Sequence, residues 1–485
     1  MRATRANRDF GTDETRIRTK VTVMDKSHNG LGLFLYKIAD CARTIFRPRN
    51  IAIPIRSTLD SQVTRDLAGW LAYIEQQHPQ TIALGLERVE HVRGAMGLAP
   101  GVPVITVAGT NGKGSTCAML EAILAAAGYR VGLYSSPHLL RYNERVRIAG
   151  READDAALVA AFARVEAART ETAGDMRLTY FEFGTLAAVD LFLRSAVDVL
   201  VLEVGMGGRL DAVNVFDADC AIVTSVGLDH MDYLGATREA IGHEKAGIFR
   251  AGKPAVLAEP AAPASVLAHA RAIGARLLRF GHEFGYETKD GQWSFWGPAG
   301  TISGLPYPAL RGRTQLRNAS AALMALETVS ELLPVSLRHL RQGLAGAELP
   351  GRFQLLPGRP ALVLDVGHNP QAAEVLAQNL SDLGPCSGIT AVFGMLRDKD
   401  VAGVVRALAG HIDRWYVCTL PPPRGAQAAE LAQALRQAGV DAVREFENPA
   451  QAYAAACSGA AENDRIVAFG SFHTVADVIV ARGTS

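Results

Sequence analysis

The 485-residue sequence predicts an α/β protein: a large N-terminal P-loop domain with a mostly parallel sheet, then a smaller C-terminal Rossmann-like α/β domain. Three features predict it. Near-continuous apolar runs alternate with helical stretches, as in a parallel sheet covered on both faces. A glycine-rich loop joins one such run to a helix, and the alternation restarts after Leu349-Pro350-Gly351-Arg352, which reads as a hinge.

Residues 1–61 stand apart. The first 60 carry twelve Lys/Arg against six Asp/Glu and show little periodicity, and Leu31–Tyr36 is short for a signal-peptide core. The expectation is a disordered extension, or a start placed upstream of Met24. From residue 62 a helical stretch around Trp70, Leu71 and Ile74 leads into Thr81–Arg88. Val104–Val107 reads as a buried strand. Thr116–Ala127 reads as a helix with Met119, Leu120, Ile123 and Leu124 on one face and Gly128 at its C-terminal cap. Val131–Tyr134, Val197–Leu202 and Cys220–Val226 are further strands, and 285–305, with Asp290-Gly291, reads as a hairpin excursion. The first domain is therefore placed at 62–348. In the second, 349–485, Ala361–Val366, Ile389–Met395, Arg414–Leu420 and Asp464–Phe469 read as strands. It lacks a GxGxxG fingerprint, so no dinucleotide is expected there.

Composition excludes several classes. Fifty Lys/Arg against 49 Asp/Glu leave no basic footprint, so neither nucleic acid nor a membrane surface is expected as a partner. No apolar run approaches the roughly 18 residues that cross a bilayer. The six cysteines are scattered without a CxxC pair, the pattern of reduced thiols in a cytoplasmic protein.

The strongest chemical signal is Gly109-Thr110-Asn111-Gly112-Lys113-Gly114-Ser115, between the first strand and the first long helix. Small residues let backbone N–H groups close around phosphate oxygens, and the helix dipole favours the anion. Lys113 is placed to reach the β- and γ-phosphates, with Ser115 or Thr116 at phosphate or metal. The string departs from GxxxxGK[ST], since Val107 holds the first glycine position and Gly114 follows the lysine. Glu203 ends an apolar strand about 90 residues later, as a Walker-B acid does where it helps to hold Mg²⁺. Asp229-His230, His243–Phe249, Tyr134–His138, Asp365–Pro370 and Gly470–Thr474 are weaker strings, several of them just past predicted strand ends. Each alone is ordinary turn or cap chemistry.

Together these strings resemble the Mur ligase superfamily and, within it, the folylpolyglutamate synthase family, most closely its bifunctional bacterial members. The likeness runs from about residue 65 to 480 through GTNGKGS (109–115), YSSPHL (134–139), TYFEFGT (179–185), LEVGMGGRLDA (202–212), SVGLDH (225–230), EKAGIF (244–249), LPGRFQ (349–354), DVGHNP (365–370) and GSFHTV (470–475). The resemblance implies an ATP-dependent ligase that activates a pterin carboxylate as an acyl phosphate and joins it to L-glutamate, acting on dihydropteroate and on folates, as a monomer. It implies that Thr110, Asn111, Gly112, Lys113, Gly114, Ser115, Asn318, Arg352 and Asp365 contact ATP. Ser136, Glu203 and His230 would hold Mg²⁺, of which two ions are expected. Lys245 would be carboxylated by CO₂ and, like Lys113 and His368, serve catalysis. Thr81, Ile82, Ala83, Leu84, Thr179, Tyr180, Phe181, Glu182, Leu210, Asp211 and Ala212 would form the pterin pocket. Val213 stands where the family has Thr, and Gly367 where it has Ala; both leave substrate preference open. The competing readings are a Mur-type cell-wall peptide ligase, against which TYFEFGT and YSSPHL argue, and a P-loop nucleotide-binding protein without ligase activity, which would want an absent NKxD-like motif.

Overall fold

A computed structural model of the chain describes residues 65–80, 82–173 and 176–483; the extension 1–61 and Thr81 lie outside the described residues. Eight strands build the first sheet: β1 (Val104–Ala108), β2 (Val131–Tyr134), β3 (Val146–Ile148), β4 (Arg151–Glu152), β5 (Val199–Glu203), β6 (Cys220–Val223), β7 (Pro254–Leu257) and β8 (Arg276–Arg279). Their order is β4-β3-β2-β5-β1-β6-β7-β8, parallel except at β2-β3 and β3-β4. Period-2 alternation splits each central strand between two cores. In β5, Leu200 and Leu202 face helices Leu67–Glu75, Asp155–Ala173 and Tyr180–Arg194, while Val199 and Val201 face Lys113–Ala126, Gln315–Thr328 and Leu337–Gly346. Both faces are therefore dry, which is why these strands read as unbroken apolar runs.

The 285–305 excursion is an antiparallel three-stranded sheet, β9 (Gly285–Lys289), β10 (Gln292–Gly297) and β11 (Gly300–Leu305). Asp290 (φ 50°) and Gly291 (φ 73°) form its first turn. Beyond the hinge, β12 (Gln354–Leu356), β13 (Ala361–Asp365), β14 (Ile389–Phe393), β15 (Arg414–Cys418), β16 (Val443–Phe446) and β17 (Arg465–Phe469) are ordered β12-β13-β17-β14-β15-β16, parallel except at β12-β13. The hinge is compact: Gly351 has φ 71°, Phe353 has φ 42°, and Val366 N–H donates to Gly351 O at 2.9 Å.

Several boundaries differ from the sequence expectation by one to three residues, and two of them bear on the site. The first long helix begins at Lys113, not Thr116, so Lys113, Gly114 and Ser115 form its first turn. The strand at Cys220 ends at Val223, not Val226, because Thr224 and Ser225 turn aside to hold the glycine-rich loop. Among the described residues no helix is long and apolar enough to cross a membrane.

Candidate active site

A cleft of about 970 Å³ opens where the C-terminal ends of β1, β5 and β6 face those of β13 and β17. Parallel α/β sheets place ligand sites at such strand ends. The register brings the pieces together. Val107 of β1 pairs with Glu203, the last residue of β5, so the carboxylate emerges beside the start of the glycine-rich loop. Thr110 N–H donates to Ser225 O (2.9 Å), Asn111 N–H to Ser225 Oγ (2.9 Å), and Thr224 Oγ1 to Asn111 O (2.7 Å). Two glycines are obligatory. A Cβ on Gly109 would meet Thr224 Oγ1 at 1.9 Å, and one on Gly112 (φ 90°) would meet Asn318 Oδ1 at 2.6 Å. The helix that follows has no side-chain cap at Gly112, which leaves its first N–H groups open to an anion. Lys113 Nζ lies back on Gly109 O at 3.1 Å. Thr116 is fully buried and donates to Gly112 O, so of the two hydroxyls proposed for phosphate or metal only Ser115 lines the cleft.

Glu203 is buried and accepts the Ser136 N–H at 3.2 Å. Burial raises its pKa, and the charges of Lys113 and Arg352 only partly offset that. His230 takes the left-handed conformation (φ 51°) at the N-terminus of helix Met231–Leu234 and faces the cleft. Its pKa falls to about 4, chiefly through burial, with Lys399 and Lys113 adding to the fall and Asp229 opposing it. It is therefore neutral at pH 7, with a lone pair to offer. Lys245, in the last turn of helix Arg238–Ala246, is 4% exposed. Burial first, then Lys113, pulls its pKa from 10.5 to about 7.

From the second sheet, Asp365 accepts N–H groups from Phe353 (2.9 Å) and Gly367 (2.7 Å), fastening the hinge, and burial raises its pKa. Arg352 lies 4.9 Å over the Phe472 ring, and Asn318 donates to Gln315 Oε1 at 3.0 Å. His368 Nε2 is 3.6 Å from Asp229 Oδ2.

Apart from Thr116, the residues expected to contact ATP or metal all line this cleft, as do Lys245 and His368. Of the expected pterin-pocket residues, Ile82–Leu84, Thr179, Phe181, Glu182 and Leu210–Ala212 line it too. Tyr180 does not: it packs edge-on against Tyr142 and under Arg145, pointing away. Glu182 is no free acid. It closes a capping box with Thr179 and receives Arg88 at 2.8 Å, while Arg88 also donates to Ala83 O at 2.7 Å. Asp211 accepts Met206 N–H and Val213 N–H, and burial lifts its pKa to about 7.

Sequence reasoning missed the seam between the lobes. Asn111 and Asn369 exchange side-chain hydrogen bonds (3.1 and 3.0 Å), Asn111 also donates to Gln371 (2.8 Å), and Lys399 Nζ donates to Asp229 Oδ1 (2.6 Å). Burial works against the Asp229 carboxylate, yet the His368 hydrogen bond and the charges around it, of which Lys399 is the permanent one, hold its pKa well below the usual range. The signal was available: Lys399 follows the strand Ile389–Phe393 at its C-terminal end.

The Mur ligase middle domain family matches residues 107–326, and the Mur ligase glutamate ligase domain family matches 351–472. The dihydrofolate synthase/folylpolyglutamate synthase of Escherichia coli K12 is 48% identical over 86% of this chain and 96% of its own length; that of Haemophilus influenzae is 40% identical over 87% and 98%. Among solved structures, E. coli FolC in complex with DHPP and ADP superposes with a TM-score of 0.83 at 48% identity, covering 88% of this chain and 99% of that one. A bifunctional folylpolyglutamate synthase/dihydrofolate synthase with Mn, AMPPNP and L-glutamate bound gives 0.80 at 46% identity, covering 87% and 99%. With these relatives matching along nearly their whole length, the chain belongs to the dihydrofolate synthase/folylpolyglutamate synthase family of ATP-dependent Mur ligases.

Proposed function

We propose that this chain joins L-glutamate to dihydropteroate, giving dihydrofolate, and to tetrahydrofolate and folylpolyglutamates, through an acyl-phosphate intermediate. The observation that carries the reading is the uncapped helix N-terminus at Lys113, set beside a buried carboxylate and faced by a second lobe. The pterin carboxylate attacks the γ-phosphorus of ATP, the bond to the β,γ-bridging oxygen breaks, and ADP leaves. The N–H groups of the 110–115 turn and Lys113 neutralise charge on the transferring phosphoryl, so catalysis is mainly positioning and electrostatics. The α-amine of glutamate then attacks the acyl carbon, and inorganic phosphate leaves. The 349–485 lobe, hinged at Leu349–Arg352 on the 62–348 lobe, shields the acyl phosphate from water, with His368 reaching the reacting groups.

Ser136, Glu203 and His230 are the proposed metal ligands. No group of three His, Cys, Asp or Glu side chains close enough to hold a metal occurs among the described residues. That fits Mg²⁺, which takes few protein ligands and completes its shell with waters and nucleotide phosphates. When bound it neutralises phosphate charge. The buried, pKa-raised Glu203 is a carboxylate that a neighbouring cation would stabilise. Lys245 is proposed to react with CO₂: a neutral amine adds to carbon and loses a proton, giving a carbamate anion that supports a second Mg²⁺. A pKa near 7 keeps enough neutral amine for that addition. A ¹³C resonance from enzyme equilibrated with ¹³C-bicarbonate, absent in Lys245→Arg, tests it. Asn318, Arg352 and Asp365 are proposed for ATP, and Ile82–Leu84, Thr179, Phe181, Glu182 and Leu210–Ala212 for the pterin. The enzyme is proposed to act as a monomer. A reducing cytoplasm suits its free cysteines at 117, 220, 386, 418 and 457.

Phosphate release measured with ATP, Mg²⁺, L-glutamate and either dihydropteroate or tetrahydrofolate tests the reaction. Release that needs both glutamate and a pterin is expected; release without a pterin would overturn it.

A further inference from the structure

The wall of the cleft at Ile82–Leu84 is thin. These three residues line the cleft on one side and, on the other, a second cavity of about 670 Å³ that His78, Gln80, Arg88, Asp232 and Tyr233 also line. They belong to no helix or strand, so no ladder of backbone hydrogen bonds fixes them. Among the described residues two hydrogen bonds tie the segment to the rest of the lobe. Gly85 N–H donates to Leu210 O at 3.4 Å, and Ala83 O accepts from Arg88 Nη2 at 2.7 Å. Leu84 leans on the apolar core, but contact of that kind is non-directional and sets no precise position.

Arg88 stands in the first turn of helix Glu87–Met96, directly after this wall. Its Nη2 also donates to Glu182 Oε1 at 2.8 Å, and its Nε donates to the same oxygen at 3.1 Å. The other oxygen of that carboxylate accepts the Thr179 N–H at 2.7 Å, closing the cap of helix Tyr180–Arg194. One guanidinium therefore bridges two walls of the cleft, 82–84 and 179–182. Its planar fork fixes their spacing as a single point charge would not. Resting on the pterin-pocket reading above, we propose that Arg88, which does not itself line the cleft, is the positioning residue that sets the width of the pterin slot. It touches no substrate and acts through Ala83 O and Glu182. A flat ring gains most from walls already held at its thickness, so loosening one wall costs binding rather than the chemical step. A pair serving the fold alone would end at Glu182; the branch to Ala83 O reaches the wall.

Calorimetric titration with dihydropteroate in the presence of a non-hydrolysable ATP analogue, and separately with that analogue alone, tests this. Arg88→Met is expected to bind dihydropteroate about tenfold more weakly and the ATP analogue within about twofold of the natural enzyme. In turnover the same split appears as a raised KM for the pterin, with kcat and the KM for ATP within about twofold. Arg88→Lys keeps the charge beside Glu182 but loses the fork. It is expected to fold as the natural enzyme does and to lose about fivefold in dihydropteroate affinity, and it decides the matter if Arg88→Met does not fold. Natural dihydropteroate affinity in a folded variant overturns the inference, and so does an equal loss of affinity for both ligands, which is general damage to the fold. Failure of the natural enzyme to bind dihydropteroate removes the pterin-pocket reading and this inference with it.

Discussion

Both lobes meet the cleft with the same unit, a strand, a turn and a helix N-terminus, and they use it in opposite ways. In the first lobe β1 passes through the 109–112 turn into helix Lys113–Ala126, and the cap residue Gly112 has no side chain to offer. In the second, β13 passes through 366–369 into helix Pro370–Asp382. There the Asn369 side chain accepts the Ala372 N–H at 2.9 Å, and proline takes the first helical position. A helix N-terminus binds an anion only while its own sequence leaves the N–H groups open. The first unit is therefore a backbone cradle. The second is closed, and what it presents to the cleft is side chains: Asp365, His368, and Asn369 with its remaining N–H bonds.

The largest effect should come from removing the cradle's one cation. Lys113→Ala is expected to lower turnover by roughly 10³-fold with an unchanged melting curve. Substantial turnover would break the contrast, because the first lobe would no longer be the phosphate side. A second test concerns buried charge in that lobe. Lys245 has a folded pKa of about 7 against 10.5, so between those values the unfolded chain binds the extra proton and stability rises with pH. Between pH 7 and 9.5 this group contributes an increase of about 3 kcal/mol. Urea unfolding across that range should lose the increment in Lys245→Met; an unaltered slope would mean that the amine is not buried as described. Gly112→Ala puts a side chain where the cradle has none, and its strain, about 2 kcal/mol, should appear as weaker binding of an ATP analogue by calorimetry. The reciprocal change, Asn369→Ala, opens the second helix. It should cost about 1 kcal/mol in denaturant unfolding, and a gain in anion affinity there would show that capping alone separates the two units. Smallest is Arg313→Ala, which removes a half-exposed pair with Asp382 across the seam: under about 1 kcal/mol, and salt-dependent.

How far the sequence could be read follows the same division. The cradle was legible because its needs are local: positive φ and close approach demand glycine, and the buried strands on either side demand apolar runs. The helix start was misjudged by three residues because Lys-Gly-Ser has the propensity of a loop, while tertiary contacts from Thr224, Ser225 and Asn318 fix it as a first turn. Arg276–Arg279 and Val443–Phe446 are four-residue edge strands with charged, partly exposed residues, so they lack the unbroken apolar run by which the equally short Val131–Tyr134 could be read. Tyr180 shares a string with pocket residues, yet a helix turns successive side chains by about 100°, which carries it away from the cleft while Phe181 stays. The seam was the least legible part. Asn111 with Asn369 and Asp229 with Lys399 join residues 258 and 170 positions apart, and no local pattern records such a pairing.

That seam has a thermal consequence. Asn111, Asn369, Gln371, Asp229, Lys399, Arg313 and Asp382 meet there through polar groups, with Leu139 adding an apolar side chain that packs into the core of the second lobe. Heat capacity changes track apolar surface, and polar surface enters with the opposite sign. Parting or closing these lobes should therefore leave the heat capacity nearly still, so that their opening equilibrium tilts with temperature through a steady enthalpy rather than curving as an oily interface would.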